Sequence, residues 1–332
     1  MRSLVTHHFL FTAKVSTPLE LDDHCGAALR GNFFEAVWRR FCTNKTSPTC
    51  AQCPLHSICP VSALVAPLRE ENPRGRDIPR PYIILPPLGR ARRYAPGDRL
   101  LFGMTLFGNI VQLLPYIILS LEVVEEAGLG RKLPENGGRR GQFKVQQIES
   151  YKPNSPERQV LYTAGKPLVE KPALTVTSTD VAVRAATLPT DKITLNFLTP
   201  TRIKDQKRLV RYPEFRPLIH RLLERLDALE NEYGTADEQC MHERQHFVEL
   251  AEGIQCVEDE TSWEEVQSYS YRTKQLSPIS GLVGRATFAG NLEPFRELLS
   301  WGELVHVGKS CVKGNGWYKI ECGADEALLM SR

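Results

Sequence analysis

The chain has 332 residues, 42% hydrophobic and 24% charged, with a formal net charge of +3. That length and apolar content fit two folded domains and exclude a chain disordered throughout. A net charge of +3 is too small by itself to require a nucleic-acid partner.

The first residues, MRSLVTHHFLFTAKV, carry histidines where a secretory signal has its apolar core, and they read as a strand. CGAALRGNFFEAVWRRF has helical spacing, with Leu29, Phe33, Val37 and Phe41 on one face. Asp22 and Asp23 supply a cap signal before it. Four cysteines follow at Cys42, Cys50, Cys53 and Cys59, in a loop stiffened by Pro48, Pro54 and Pro60. Four thiolates this close repel unless a cation holds them. The spacing therefore predicts one structural metal centre that uses all four ligands, either zinc or a [4Fe-4S] cluster. The loop is similar to the iron–sulfur loop of some DNA-repair glycosylases, with a longer first gap. No helix-hairpin-helix precedes it, so the likeness stops at the loop.

PYIILPPL and RLLFGMTLFG predict strands, and VQLLPYIILSLEVVEEAG predicts a helix ending at glycine. The run from Leu100 to Val124 is long and apolar, but Gly103, Gly108, Asn109, Gln112 and Pro115 interrupt it. It reads as strand, turn and buried helix rather than a membrane span, and the protein is expected in the cytoplasm. QFKVQQIESY and QVLYTA are strands. Residues 166–190, rich in Pro, Thr and Val, read as a connection with strand character. KITLNFLTPTRI is a strand. PEFRPLIHRLLERLDALENEYG is a helix with Phe215, Leu218, Leu222, Leu226 and Leu229 inward and Gly234 as its C-cap. EEVQSYSYRTK and ISGLVGRATFAG are expected to pair as strands. LEPFRELLSWG is a short helix, and HVGKSCVKGNGWYKIE closes the sheet.

Each half thus reads βαββαβ. The predicted fold is α+β, with two tandem ferredoxin-like, RRM-like domains. The first spans 1–165, with the four-cysteine insertion at 42–60. The connection is 166–190, and the second domain, with a glycine-rich loop, is 191–323.

Basic residues cluster in PRGRDIPRP, in GRARRY (Arg90, Arg92, Arg93), in GRKLPENGGRRGQFK (Arg139, Arg140) and in TRIKDQKRLVR, with Arg272 further on. Several such clusters in turn-like stretches can follow a phosphate backbone. Lys309 and Lys313 sit among Gly308, Gly314 and Gly316. Gly308-Lys309-Ser310 ends like a phosphate-binding loop, but the required earlier glycine falls on Glu303, which excludes a nucleotide cofactor. A glycine loop bearing lysines still lets backbone amides approach another phosphate. HERQH, residues 242–246, spells a zinc-protease motif, with Glu265 at third-ligand distance. Arg244 puts a charge inside it, and the metalloprotease reading stays a remote alternative.

The sequence resembles the CRISPR-associated endoribonucleases that process precursor CRISPR RNA, within the RAMP superfamily. GAALRGNFFEAVWRRFC with CAQCPLHSICP is similar to that family's first helix and cysteine-bearing insertion. LNFLTPTRIK with PEFRPLIHRLLERLDAL is similar to the start of its second domain. SYSYRTKQ, ISGLVGRATFAGNLEPFRELLSWGELVHVGK and GNGWYKIE are similar to its end. The family's glycine loop reads G-x-G, a basic gap, then G-x-G. Gly314-x-Gly316 matches the second half, while His306 takes the place of the first glycine, before Gly308.

The resemblance implies repeat RNA lying along the junction of the domains, cut beside a short hairpin without a catalytic metal. It implies phosphate contacts from Lys309 and Lys313 at the glycine loop of Gly308, Gly314 and Gly316, and the basic clustering adds Arg90, Arg92, Arg93, Arg139, Arg140 and Arg272 as expected RNA contacts. Other CRISPR effector subunits are implied as partners. The alternative within the family is a non-catalytic subunit that holds processed guide RNA. Cutting RNA without a metal needs a base for the 2′-OH, a donor for the leaving 5′-oxygen and a cation for the phosphorane. Histidine suits the proton transfers. His24, at the start of the first helix, and His306, beside the glycine loop, are the catalytic candidates.

Overall fold

The structure is a computed structural model that describes residues 2–67, 78–88, 92–234, 243–270 and 275–321. Two compact units emerge. The N-terminal unit is Leu4–Val176 with Asn231–Gly234; the C-terminal unit is Met1–Ser3, Thr177–Glu230 and Thr235–Arg332.

The N-terminal unit runs β1 (Thr6–Val15), β2 (Leu19–Leu21), α1 (Gly26–Phe41), α2 (Pro60–Val65), β3 (Tyr82–Leu85), β4 (Arg92–Tyr94), β5 (Arg99–Phe107), α3 (Leu114–Ala127), β6 (Leu129–Leu133), β7 (Arg139–Gly141), β8 (Phe143–Tyr151) and β9 (Arg158–Thr163). Its sheet has the order β3-β5-β1-β8-β9. The first four positions are the ferredoxin-like arrangement, and β9 adds an outer strand. β1 is antiparallel to β5 on one side and to β8 on the other, with His8 opposite both Thr105 and Tyr151. Phe9 and Phe11 are buried in that central strand, and α1 turns Leu29, Phe33, Ala36 and Val37 inward at helical spacing. The expected aspartate cap does not form: the N-cap is Cys25, with no side-chain bond. Arg131 Nε instead donates to Asp22 Oδ1 at 2.7 Å, holding that carboxylate away from the helix end.

The C-terminal unit runs α4 (Ser178–Ala186), β10 (Lys192–Thr201), β11 (Ile203–Asp205), β12 (Arg208–Val210), α5 (Phe215–Tyr233), α6 (Glu243–Leu250), β13 (Gln255–Glu264), β14 (Gln267–Ser270), β15 (Gln275–Pro278), β16 (Gly281–Ala289), α7 (Arg296–Val305) and β17 (Tyr318–Glu321). Its sheet order, β13-β16-β10-β17, repeats the ferredoxin-like pattern. Phe215 of α5 packs 5.1 Å, ring to ring, from both Phe288 and Phe295. Arg2 Nη1 reaches Asp227 at 3.1 Å and Glu230 at 2.9 Å, two buried carboxylates on α5.

Two expectations are corrected. The stretch read as a connection with strand character contains α4, started by a capping box between Thr177 and Asp180. That pairing satisfies two amides at the helix start, which outweighs the strand preference of the Thr and Val residues. The partner of β16 is also different. β13 pairs with it, from Gln255 opposite Ala289 to Glu264 opposite Gly281, while β14 pairs with β15. β13 is an edge strand whose first six residues, Gln255–Glu260, are all exposed, so it carries no apolar alternation to announce it.

Candidate active site and nucleic-acid interface

His24 is half-exposed in the turn between β2 and α1. β2 pairs with β4, placing Leu19 opposite Tyr94 and Leu21 opposite Arg92. The phenol of Tyr94 lies within electrostatic reach of Cys25, the residue after His24. Burial pushes the Tyr94 hydroxyl above its usual range, with Cys25 and Asp98 adding to the shift and a hydrogen bond from Arg92 opposing it. The phenol is therefore protonated at neutral pH. Burial likewise pushes the Cys25 thiol up to about 12, so it is no nucleophile there.

The cations around this turn divide sharply. Arg93 is taken by Glu135, with both carboxylate oxygens at 2.6 Å. Arg131 binds Asp22 and Glu20, and Arg140 Nη1 donates to the Gly130 carbonyl at 2.6 Å. Arg92, Lys132 and Arg139 remain at the surface, Arg139 bonding only weakly to the Asn136 carbonyl at 3.5 Å. Arg90 and Arg272 lie outside the described residues.

In the C-terminal unit the glycine loop is held from inside. Thr199 Oγ1 donates to the Gly314 carbonyl at 2.8 Å and accepts the Trp317 amide at 2.9 Å. Asn315 Nδ2 donates to the carbonyls of Pro200 and Ile279 at 3.3 and 3.2 Å. Gly308 (φ 88°) and Gly316 (φ 73°) have left-handed backbones, and a Cβ on either would collide with a carbonyl, of Arg202 and Val307 respectively. Gly314 and Gly316 are buried, Gly308 and Lys313 are half-buried, and Lys309 is the exposed residue of the five. Lys313 turns across to Ser268, donating at 3.0 Å.

His306 is wholly buried, with its ring stacked on Trp317 (5.6 Å, 7°) and Nδ1 3.2 Å from the Asn315 carbonyl. A general base must reach the substrate proton, and a 0% exposed ring does not. Its assignment is corrected to a support of the loop. His7 and His8 are buried on β1, and His8 is held between the hydroxyls of Thr6 and Thr105 at 2.9 and 3.0 Å. His24 is the accessible catalytic candidate of the two.

The cysteine loop is partly formed as expected. The Cys53 amide donates to the Cys50 carbonyl at 3.2 Å in a tight turn, and Asn44 Nδ2 lies 3.4 Å from Cys53 Sγ. Burial raises the Cys50 thiol, helped by Cys59, Cys42 and Cys53, so the four sulfurs are within electrostatic reach; Arg80 acts the other way. Yet among the described residues no group of three or more His, Cys, Asp or Glu side chains converges as metal ligands. The closed four-ligand site expected from the spacing is not formed in this arrangement. The protease motif does not assemble either. His242 lies outside the described residues, Arg244 is bound to Asp227, and Glu265 is bound to Trp263 and Ser280.

Tyr94 and Trp263 were not singled out by the sequence. Each acquires its neighbours from elements distant in the chain: β2 for Tyr94, and Arg202 and Arg211 for Trp263. No helix among the described residues is long and apolar enough to cross a membrane.

The chain therefore has two ferredoxin-like units, with a glycine loop after the last helix of the second. Comparison with known proteins agrees. Residues 195–318 match the family model of CRISPR-associated endoribonuclease Cas6, and residues 4–174 match that of the AF_1859_N N-terminal domain. The Cas6 match thus covers the C-terminal part of the chain, and the AF_1859_N match covers the first half. It is 26% identical over 302 residues to an uncharacterized protein of Archaeoglobus fulgidus, covering 89% of this chain and 91% of that one. In fold it is similar to a Cas6 product complex (TM-score 0.54, 16% identity, 95% of this chain and 99% of that chain). Thermus thermophilus Cas6 gives a TM-score of 0.51 at 16% identity, covering 97% and 100%. A chain of a partial Cas6-RT-Cas1–Cas2 complex gives 0.58 at 14% identity, with 99% of this chain covering 48% of that one.

Proposed function

We propose that this protein cuts CRISPR repeat RNA into guide RNAs by attack of a 2′-OH, without a catalytic metal. The observation that carries the reading is the group at the start of α1: half-exposed His24, the protonated phenol of Tyr94 within electrostatic reach of Cys25, and surface Arg92 bonded to that phenol. His24 takes the 2′-OH proton. The 2′-oxygen attacks the adjacent phosphorus, and the bond from phosphorus to the 5′-oxygen breaks. Tyr94 protonates that oxygen as it leaves, and Arg92 offsets the charge on the phosphorane. The products are a 2′,3′-cyclic phosphate and a 5′-OH. Lys309, with Gly308, holds the RNA backbone in the second domain, and Lys313 joins it by releasing Ser268. A similar fold occurs in a Cas6-RT-Cas1–Cas2 complex, and other CRISPR subunits are proposed as partners here.

The test is incubation with repeat RNA in EDTA, with end chemistry read by mass spectrometry. Cleavage is expected to persist in EDTA and to vanish when the nucleotide before the scissile phosphate is 2′-deoxy. Cleavage of the deoxy substrate overturns the mechanism. Tight binding with no cutting assigns the protein to the guide-holding, non-catalytic role.

A further inference from the structure

Trp263, at the end of β13, is half-exposed and carries two guanidinium groups on its ring. Arg211 Cζ lies 4.8 Å and Arg202 Cζ 5.8 Å from the ring centroid. The indole is fixed in orientation, because Nε1 donates to Glu265 Oε1 at 2.8 Å. Glu265 is fixed in turn, accepting from the buried Ser280 hydroxyl at 2.7 Å. Arg202 is anchored at both ends. Its Nη1 donates to the Ser280 carbonyl at 3.3 Å, and its own carbonyl accepts the Lys309 amide at 3.0 Å. The Trp263 stack is thereby joined to the accessible end of the glycine loop.

The charges explain why this patch differs from the rest of the TRIKDQKRLVR cluster. Arg208 is held by both oxygens of Glu214 at 2.7 Å, and Arg216 is held by Asp205 and Glu252. Among the described residues, Arg202, Arg211 and Lys309 form no ion pair. Two guanidinium groups, of Arg202 and Arg211, thus lie within electrostatic reach of one carboxylate, Glu265, with the Lys309 backbone bonded to Arg202 and Tyr212 next to Arg211 in the chain, 71% exposed. Flat guanidinium and aromatic faces stack nucleobases, and unpaired N–H donors take phosphate. A duplex keeps its base faces inside, so only an unpaired nucleotide offers both groups.

Resting on the RNA-binding reading above, we propose that the Trp263 patch is a stacking site for an unpaired nucleotide flanking the repeat hairpin. The base lies against Arg211 and Tyr212, and its phosphate is held by Lys309 and Arg202.

The experiment is a fluorescence-anisotropy titration with two RNAs, the repeat hairpin alone and the hairpin with unpaired flanks. The proteins are the parent, Tyr212→Ala, Arg211→Ala and Trp263→Ala. The parent is expected to favour the flanked RNA by about tenfold, the worth of one stacked base. Each variant is expected to lose that preference while keeping its affinity for the hairpin alone, and abasic flanks are expected to lose it in the parent. The two exposed sites, Tyr212 and Arg211, keep the test decisive if Trp263→Ala does not fold. A flank preference that survives in Tyr212→Ala and Arg211→Ala overturns the site. So does equal loss on both RNAs, which makes the patch a duplex contact, or a patch that captures acidic peptides and leaves RNA affinity unchanged. If the parent binds neither RNA, the RNA reading itself fails and the stacking site falls with it.

Discussion

A residue other than glycine at φ 59° and ψ 171° occupies backbone space that glycine alone ordinarily adopts, and His306 sits there at a cost of about 1–3 kcal/mol. The stack on Trp317 and the bond to the Asn315 carbonyl hold the ring in place against that strain. His306, at the place where the resemblance expects a glycine, thus has a backbone that suits glycine. The two catalytic candidates should therefore separate by assay. His24→Ala is expected to slow repeat cleavage roughly a hundredfold or more, the usual worth of one acid–base group, with RNA affinity unchanged. His306→Ala keeps the strained backbone without the stack, and is expected to lower the urea midpoint of unfolding. A His24→Ala protein that cuts at the parent rate removes His24 from the chemistry. A His306→Ala protein as stable as the parent removes the support role. At this scale the sequence was a partial guide. It marked His24 by its nearness to a helix start. It gave no sign of Tyr94, because the strand pairing that brings the phenol there joins Leu19 to a residue far along the chain.

Among the elements, those with an inward apolar stripe were readable, and those without were not. α1 and α5 show their buried faces as helical spacing, and β10 alternates buried Ile193, Leu195 and Phe197 with half-buried neighbours. β13 lies on the sheet edge with polar residues on both faces, so nothing in its composition separates it from a loop. α4 had a readable signal, Thr177 followed three residues later by Asp180, but the run of Pro, Thr and Val around it points the other way. The cysteine loop is the element whose chemistry is still to be measured. We propose that Cys42, Cys50, Cys53 and Cys59 close around one zinc or iron–sulfur centre when loaded. The tight Cys50–Cys53 turn and the effect of the other three sulfurs on the Cys50 thiol support this reading. Anaerobically purified protein is expected to carry about one structural zinc per chain, or iron with a visible absorption band. Cys50→Ser with Cys53→Ser should remove it and lower the thermal midpoint. Protein that carries neither metal, with four thiols that titrate freely, ends this assignment.

For the molecule as a whole, the doubled βαββαβ order was legible because each half buries its own apolar set around a central strand. How the ends of the chain are divided between the units was not legible, since ion pairs leave no periodic trace. Acid is expected to find its weak point in the N-terminal unit. Burial holds the His7 imidazole below its ordinary 6.5, outweighing the backbone groups of Gly108 and Leu174 that pull the other way. The unfolded chain then binds a proton that the folded one refuses. The contribution of neutral His7 to stability is present above pH 6.5 and is expected to be lost as pH drops from there through the lowered value. Urea midpoints followed from pH 6.5 to about pH 5 should decline in the parent and decline less in His7→Gln. Equal slopes in the two proteins would clear His7 of the effect. The pairing of Arg2 with the buried carboxylates of α5 also bears on how the protein is made. Arg2 leaves the ribosome 225 residues ahead of Asp227, a wait of roughly ten to forty-five seconds at ordinary rates of synthesis. Through that interval the carboxylates that hold Arg2 and Ser3 do not yet exist, and Leu4–Val176 is made before Asn231–Gly234. The translation of α5 supplies missing pieces to both units, so the calendar of synthesis is written into which residues touch.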